Sequence, residues 1–294
     1  MYALLILSRA IHFGSCLLLL SVFAVRLLVE TAATDDSRAA RRLAGLCLAA
    51  AAGSGFVWFW VAIAGMSGSG LLESLSPQLF RMVLIETAPG NVWIVRCAIG
   101  VAFGVLLCFP LRGWSWRGGA VLAAVLVGSL TWLGHAGASE DVRRPWMLSA
   151  DVAHLLAAGV WPAGLLPFAL LLKQYIRAGL LPAARAAATR FSAMSLITVA
   201  VLASSGAVNA CFLVGSFRGL ATSEYGRLLI IKVALFAMAV AFGARNLLVH
   251  KARLDIAPEA LDAMARNVWI EVALGTLIVF VVAILGTLPP ASHP

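Results

Sequence analysis

The chain has 294 residues, 62% of them apolar and 12% charged, with 22 Lys and Arg against 13 Asp and Glu and a formal charge of +9. Soluble domains carry about 45–50% apolar and about 25% charged residues, and a mean hydropathy of +0.97 leaves too little polar surface to cover a soluble fold. This excludes a soluble globular domain, a disordered chain and a secreted disulfide scaffold; the basic excess reads as loop charge that orients a membrane protein, with no nucleic-acid footprint.

A spanning helix needs about 20 mostly apolar residues. Eight stretches meet that need: 4–29, 43–66, 91–110, 118–135, 149–172, 191–214, 226–248 and 268–288. The expected fold class is therefore all-α, a polytopic protein in the lipid bilayer. The first stretch has no basic segment before it and is interrupted early by Arg9 and His12, so it is read as a retained helix and not as a cleaved signal. The second carries Trp58 and Trp60. The third follows Thr87-Ala-Pro-Gly90, holds Trp93 and places Arg96 six residues after the glycine. The fourth ends in Trp132 and the run Leu133-Gly134-His135-Ala136-Gly137, and Trp146 follows it. These five tryptophans lie toward one boundary and read as an aromatic belt.

The fifth stretch opens with Asp151-Val-Ala-His154, and Pro162 should kink it below the histidine. The sixth holds Asn209. The seventh follows Thr222-Ser-Glu-Tyr-Gly226 and places Lys232 six residues, about 9 Å, beyond that glycine. A lysine at that depth needs an acceptor, for which Asp151 and Glu224 are the candidates. The eighth holds Glu271. No loop leaves room for a soluble catalytic domain, and the phosphate loop G-x-x-x-x-G-K-[ST] is missing. An ATP-driven pump working from this chain alone is excluded, and no enzymatic activity is expected.

Basic residues divide unevenly between alternate loops. One set holds Arg38, Arg41, Arg42, Arg112, Arg117, Lys173, Arg177, Arg185, Arg190, Lys251, Arg253 and Arg266; the other holds Arg81, Arg143, Arg144 and Arg218. The richer set should be cytoplasmic, which leaves both termini outside, in the periplasm of a bacterium whose inner membrane holds the chain.

The halves echo one another. Arg9-Ala-Ile-His12 opens the first stretch as Asp151-Val-Ala-His154 opens the fifth, and Thr87 to Arg96 matches Thr222 to Lys232. A parallel four-plus-four repeat would divide the chain into residues 1–148 and 149–294, and transporters often place their sites between such repeats.

His12, His135 and His154 fall at similar depth on the outer side, whereas His250 is cytoplasmic and His293 lies in the outer tail. Imidazole suits copper, zinc, iron and nickel, so these three are the candidate metal ligands; the alternative is three unrelated hydrogen-bonding histidines. Cys16 lies one turn below His12 on the same face, and Met66, Met82 and Met147 fall in or beside outer loops. Thiolate and thioether favour Cu(I), although Cys and Met also serve as packing residues. No C-x-x-C is present, so neither a zinc ribbon nor a dithiol redox motif is expected.

Several stretches resemble the copper resistance protein D (CopD) family. They are Arg190-Phe-Ser, Ser205-Gly206-Ala-Val-Asn209-Ala210, Thr222 through Lys232, Glu271-Val-Ala-Leu-Gly275, and Leu285-Gly286-Thr-Leu-Pro289-Pro290. His135-Ala-Gly-Ala-Ser139 and His154 followed by Gly159-Val-Trp161 fit the same family, and Pro162-Ala163-Gly164 departs from it where a more glycine-rich turn is expected. The likeness is strongest over 130–290 and looser before that. It implies an inner-membrane protein of copper resistance and transport, working with a separate periplasmic copper-binding protein of the CopC kind. On this reading copper is the substrate ion. His12, His135 and His154 form the loading site, Cys16 or Met147 completes a Cu(I) shell, and the path inward runs past Asp151, Asn209 and Lys232. The competing reading is a b-type haem electron carrier using His12 with His154 or His135; a third is a membrane partner that docks a copper carrier without transporting.

Overall fold

A bilayer offers the backbone no hydrogen-bonding partner, so a chain this apolar must satisfy its own amides within helices. The computed structural model describes residues 1–30, 37–250 and 259–292, and every regular element among them is helical. The elements are α1 (Tyr2–Leu28), α2 (Ser37–Ser67), α3 (Pro77–Glu86), α4 (Ala88–Cys108), α5 (Trp114–Gly128), α6 (His135–Ala138), α7 (Arg144–Val160), α8 (Leu165–Arg177), α9 (Leu181–Leu213), α10 (Phe217–Thr222), α11 (Glu224–Arg245) and α12 (Glu259–Leu285). A tight 3-10 turn over Ser129–Leu133 extends α5, and a π turn over Asn246–His250 extends α11. Among the described residues, eight helical segments are long and apolar enough to cross a membrane, as the sequence predicts. Lys251, Arg253 and His293 lie outside the described residues.

Two details differ from the sequence expectation. The kink at Pro162 is a full break between α7 and α8. Proline has no N–H to donate, and the Ala163 amide reaches back five residues to Ala158 O instead of four, which widens the turn. The loops before α4 and α11 contain the short helices α3 and α10, whose N-caps Ser76 and Ser216 accept from the amides of Leu79 and Gly219. Thr87 and Ser223 then cap α4 and α11 in the same way, accepting from Gly90 N and Gly226 N.

Helix α1 is central: it packs against α2, α5, α7 and α12. Helix α7 packs on α9, and α12 on α8 and α11. Between lipid-embedded helices the drive is close packing more than escape from water. Phe23 of α1 shows this: it is fully buried, with the rings of Phe103 and Trp116 at 5.4 and 5.5 Å. A second packed cluster gathers Trp161, Phe168, Phe191 and Met264 from α8, α9, α12 and the break. Outward-facing Val101, Val121, Ile197 and Ile231 are exposed, as expected of faces that meet acyl chains.

The first and last spans meet at one end of the bundle. Tyr2 Oη lies 3.1 Å from Thr287 Oγ1, and His135 Nε2 lies 3.5 Å from Leu285 O. At the opposite end Arg190, early in α9, donates to Glu30 O beyond α1 at 3.2 Å.

Candidate copper site

Among the described residues, one polar cluster built on a histidine lies inside the bundle in each half of the chain. In the first, α1 carries His12, which is 3% exposed, and α4 carries Arg96, also 3% exposed. His12 Nδ1 lies 2.8 Å from Ala51 O, and Nε2 lies 2.6 Å from an Arg96 nitrogen. A guanidinium only donates and a carbonyl only accepts. The proton of this imidazole is therefore on Nδ1, and the Nε2 lone pair receives Arg96. The same guanidinium donates to Leu126 O at 2.7 Å, to Ser129 Oγ and to Cys16 Sγ at 3.5 Å. Cys16 Sγ lies 3.8 Å from His12 Nε2, so the i, i+4 spacing read from the sequence does bring these two groups together.

Trp58 and Trp93 pack their rings on His12 at 5.5 and 5.3 Å. Both are buried, while Trp132 and Trp146 are exposed and Trp60 Nε1 donates to Leu71 O. The belt reading is therefore corrected for Trp58 and Trp93: they wall a buried histidine. Gly55 makes room for that ring, since a Cβ there would lie 2.9 Å from His12 Cε1. Arg9 is buried with its guanidinium 4.7 Å above Trp58 and packed on Gly286; its Nε has no hydrogen-bond partner among the described residues.

The second cluster joins α7, α9 and α11. Ser205 Oγ donates to Val201 O and lies 3.1 Å from His154 Nδ1, which donates to it. His154 Nε2 then faces Lys232 Nζ at 3.4 Å. Lys232 thus finds an imidazole, where the sequence pointed to Asp151 or Glu224. Asp151 accepts from Asn209 Nδ2 at 3.3 Å and adds a favourable field at Lys232 without a direct ion pair. Gly206 lies against His154 Cε1, as Gly55 lies against His12.

His135 stands apart at the start of α6, with the ring of Tyr225 at 6.0 Å. Burial pushes its pKa below the ordinary histidine value, with Arg9 adding in the same direction, so the ring is neutral at pH 7. Met147 is buried in the first turn of α7. The structure thus joins His12 to Cys16, Asp151 to Asn209 and Lys232 to His154. It holds the three histidines in separate surroundings, and among the described residues no three His, Cys, Asp or Glu side chains stand close enough to share one ion. What the sequence reading missed is that His12 and His154 each meet a fixed cation. The signal was present in the glycine-plus-six spacing of Arg96 and Lys232, but no single helix reveals which neighbour such a side chain faces.

Residues 1–145 match the family description "Copper resistance protein D-like, N-terminal domain", and residues 185–285 match "Copper resistance protein D". The chain is 31% identical over 221 residues to copper resistance protein D of Pseudomonas syringae pv. tomato, covering 71% of each protein. It is 26% identical over 234 residues to copper transport protein CutJ of Bacillus subtilis (strain 168), covering 78% of this chain and 42% of that one. No solved structure matches it. Its likeness runs through both halves and includes His12, Arg96 and Lys232, and on that ground, with the identity to the Pseudomonas protein, the chain belongs to the copper resistance protein D family.

Proposed function

We propose that this protein carries copper across the inner membrane from the periplasmic side, and that the gap between His12 and Cys16 is where Cu(I) is first held. The 3.8 Å separation of Nε2 and Sγ carries this reading, because two metal–ligand bonds of roughly 2 Å each span such a gap. A neutral imidazole nitrogen and a sulfur are soft donors suited to Cu(I). Arg96 occupies the space between them. Copper and the guanidinium therefore compete for one lone pair, and the guanidinium keeps the site closed until copper arrives.

His154 with Lys232 repeats the arrangement in the other half. Reading the chain as two halves, 1–148 and 149–294, accounts for the pairing of His12 with Arg96 and of His154 with Lys232. The ion would pass from the His12 side to the second cluster, where Asp151 and Asn209 flank Lys232. His135 and Met147 lie toward the end at which a periplasmic CopC-like carrier would dock. A haem in place of copper needs two imidazole lone pairs facing one gap; the lone pairs of His12 and His154 each face a cation, and His135 stands in separate surroundings.

The test uses the purified chain and Cu(I) competition against a chromophoric chelator. The His12→Ala/His135→Ala/His154→Ala variant should lose at least tenfold in affinity, and cells carrying it should lose the copper phenotype. Unchanged affinity and cellular copper would end the assignment. Copper uptake into vesicles containing only this protein separates a transporter from a docking partner. Sidedness has its own check: a reporter joined after Pro294 should be active in the periplasm, and activity confined to the cytoplasm overturns the orientation.

A further inference from the structure

At the end of the bundle away from the histidine clusters, a cavity of about 160 Å³ opens between the α7–α8 break, α9, α11 and α12. Its wall is apolar, with Trp161, Phe168, Phe191 and Met264, except for Glu271, Asn246 and the hydroxyls of Ser192 and Ser195. Glu271 is 2% exposed and lies about 12 Å inside the span that begins at Ala263. A carboxylate at that depth is costly and marks a functional path by default.

The surroundings define what it can take. Asn246 Nδ2 donates to Glu271 Oε1 at 2.8 Å, and Asn246 Oδ1 is itself engaged by Asn267 Nδ2 at 2.9 Å. The amide thus presents hydrogens to the carboxylate, and its oxygen is used elsewhere. Ser192 and Ser195 donate to carbonyls of their own helix. Gly243 lies against the Glu271 carboxylate, Asn246 bonds to it and is held by Asn267, and Ser192, Ser195, Trp161 and Met264 line the same cavity. Among the described residues none of them is basic or a second acid, and Arg245, next to Asn246, is exposed. Hard metal cations need about six oxygens; this site offers one carboxylate. A proton needs one oxygen, and a cavity this size holds the waters that would bring it.

We propose that Glu271 is a proton-binding site, loaded from hydronium to give the carboxylic acid and water, and unloaded to water at the cytoplasmic end as copper moves. The coupling rests on the transport reading above; the site itself does not.

Dicyclohexylcarbodiimide tests the site directly, because it forms a stable adduct only with a carboxylic acid held away from water. The full chain in detergent is treated between pH 6 and 9 and read by peptide mass. Labelling at Glu271 should fall severalfold across that range, be absent in Glu271→Gln, and be unaffected by 100 mM sodium or potassium. Absent or pH-independent labelling overturns the proposal, and protection by either metal ion assigns the site to that ion instead. In vesicles, Glu271→Gln keeps a hydrogen-bonding amide beside Asn246. It should retain Cu(I) affinity while copper uptake loses its response to an imposed pH gradient. A response equal to wild type overturns the coupling, whereas loss of Cu(I) affinity overturns the separation of the two sites.

Discussion

Replacing Arg96 with Met should tighten Cu(I) binding by about ten- to a hundredfold. In the native protein copper must take the His12 Nε2 lone pair from a guanidinium 2.6 Å away. A hydrogen bond to a charged group is worth about 1.5–3 kcal/mol, and each 1.4 kcal/mol is a factor of about ten in affinity. Methionine fills the space, removes the competing charge and adds a thioether. The same change takes the guanidinium away from Leu126 O, which keeps the Ser129 hydroxyl, and from Ser129 Oγ, which loses its donor, so the folded protein should lose about 1–3 kcal/mol. Tighter binding in a less stable protein is the signature of a competitor. Arg96→Lys keeps the charge without the planar fork and should leave the affinity near wild type. Chelator competition and thermal unfolding, measured on the same preparations, settle the matter. Equal or weaker copper binding in the Met variant removes Arg96 from the role of gate.

Gly90→Ala and Gly226→Ala should each cost about 2–3 kcal/mol, at the upper end of what one inserted methyl does in a close-packed interior. A Cβ at Gly90 would lie within contact distance of the carbonyls of Val83 and Leu84, and one at Gly226 would meet those of Gly219 and Leu220. These are backbone atoms at the ends of α3 and α10, so relief requires a helix to move. Each glycine sits six residues before the cation of its half, and tilting α4 or α11 displaces Arg96 or Lys232 from its histidine. The denaturation midpoint in detergent should fall for both variants. Cu(I) affinity should change more for Gly90→Ala, which acts on the His12–Cys16 gap. Melting at the wild-type temperature for both would mean that the capped turns are not fixed in this way.

The spans were legible because a bilayer imposes a length and a composition, and residues such as Leu17 to Val25 can satisfy both in one way only. Depth was legible for the same reason: Arg9, His12, Asp151 and His154 are placed by counting turns. Azimuth was not. Trp58 and Trp93 sit at the depth of an interfacial belt yet turn inward on His12, and counting along one helix cannot distinguish the two directions. The i, i+4 relation of His12 and Cys16 survived because it lies within a single helix. The partners of His12 and His154 come from helices tens of residues away, where only packing decides. Pro162 announced a disturbance, but its size depended on the Ala163 amide reaching Ala158, a bond no pattern encodes. The turn at Asn246–His250 carries no proline or glycine to signal it, and with it the setting of Glu271 stayed hidden.

The packing of α1 against α12 bears on how the protein is made. The first span leaves the ribosome with Arg9 and His12 already on one face, and Gly286, which covers Arg9, follows nearly three hundred residues later. At about 5–20 residues per second of synthesis, the arginine waits on the order of fifteen seconds to a minute for its cover. During that time α1 must remain beside the insertion machinery or the earlier helices α2 and α4, which already supply Ala51, Trp58, Trp93 and Arg96. The early helices can therefore house His12 before the last span arrives, and the bundle closes when α12 docks over Arg9.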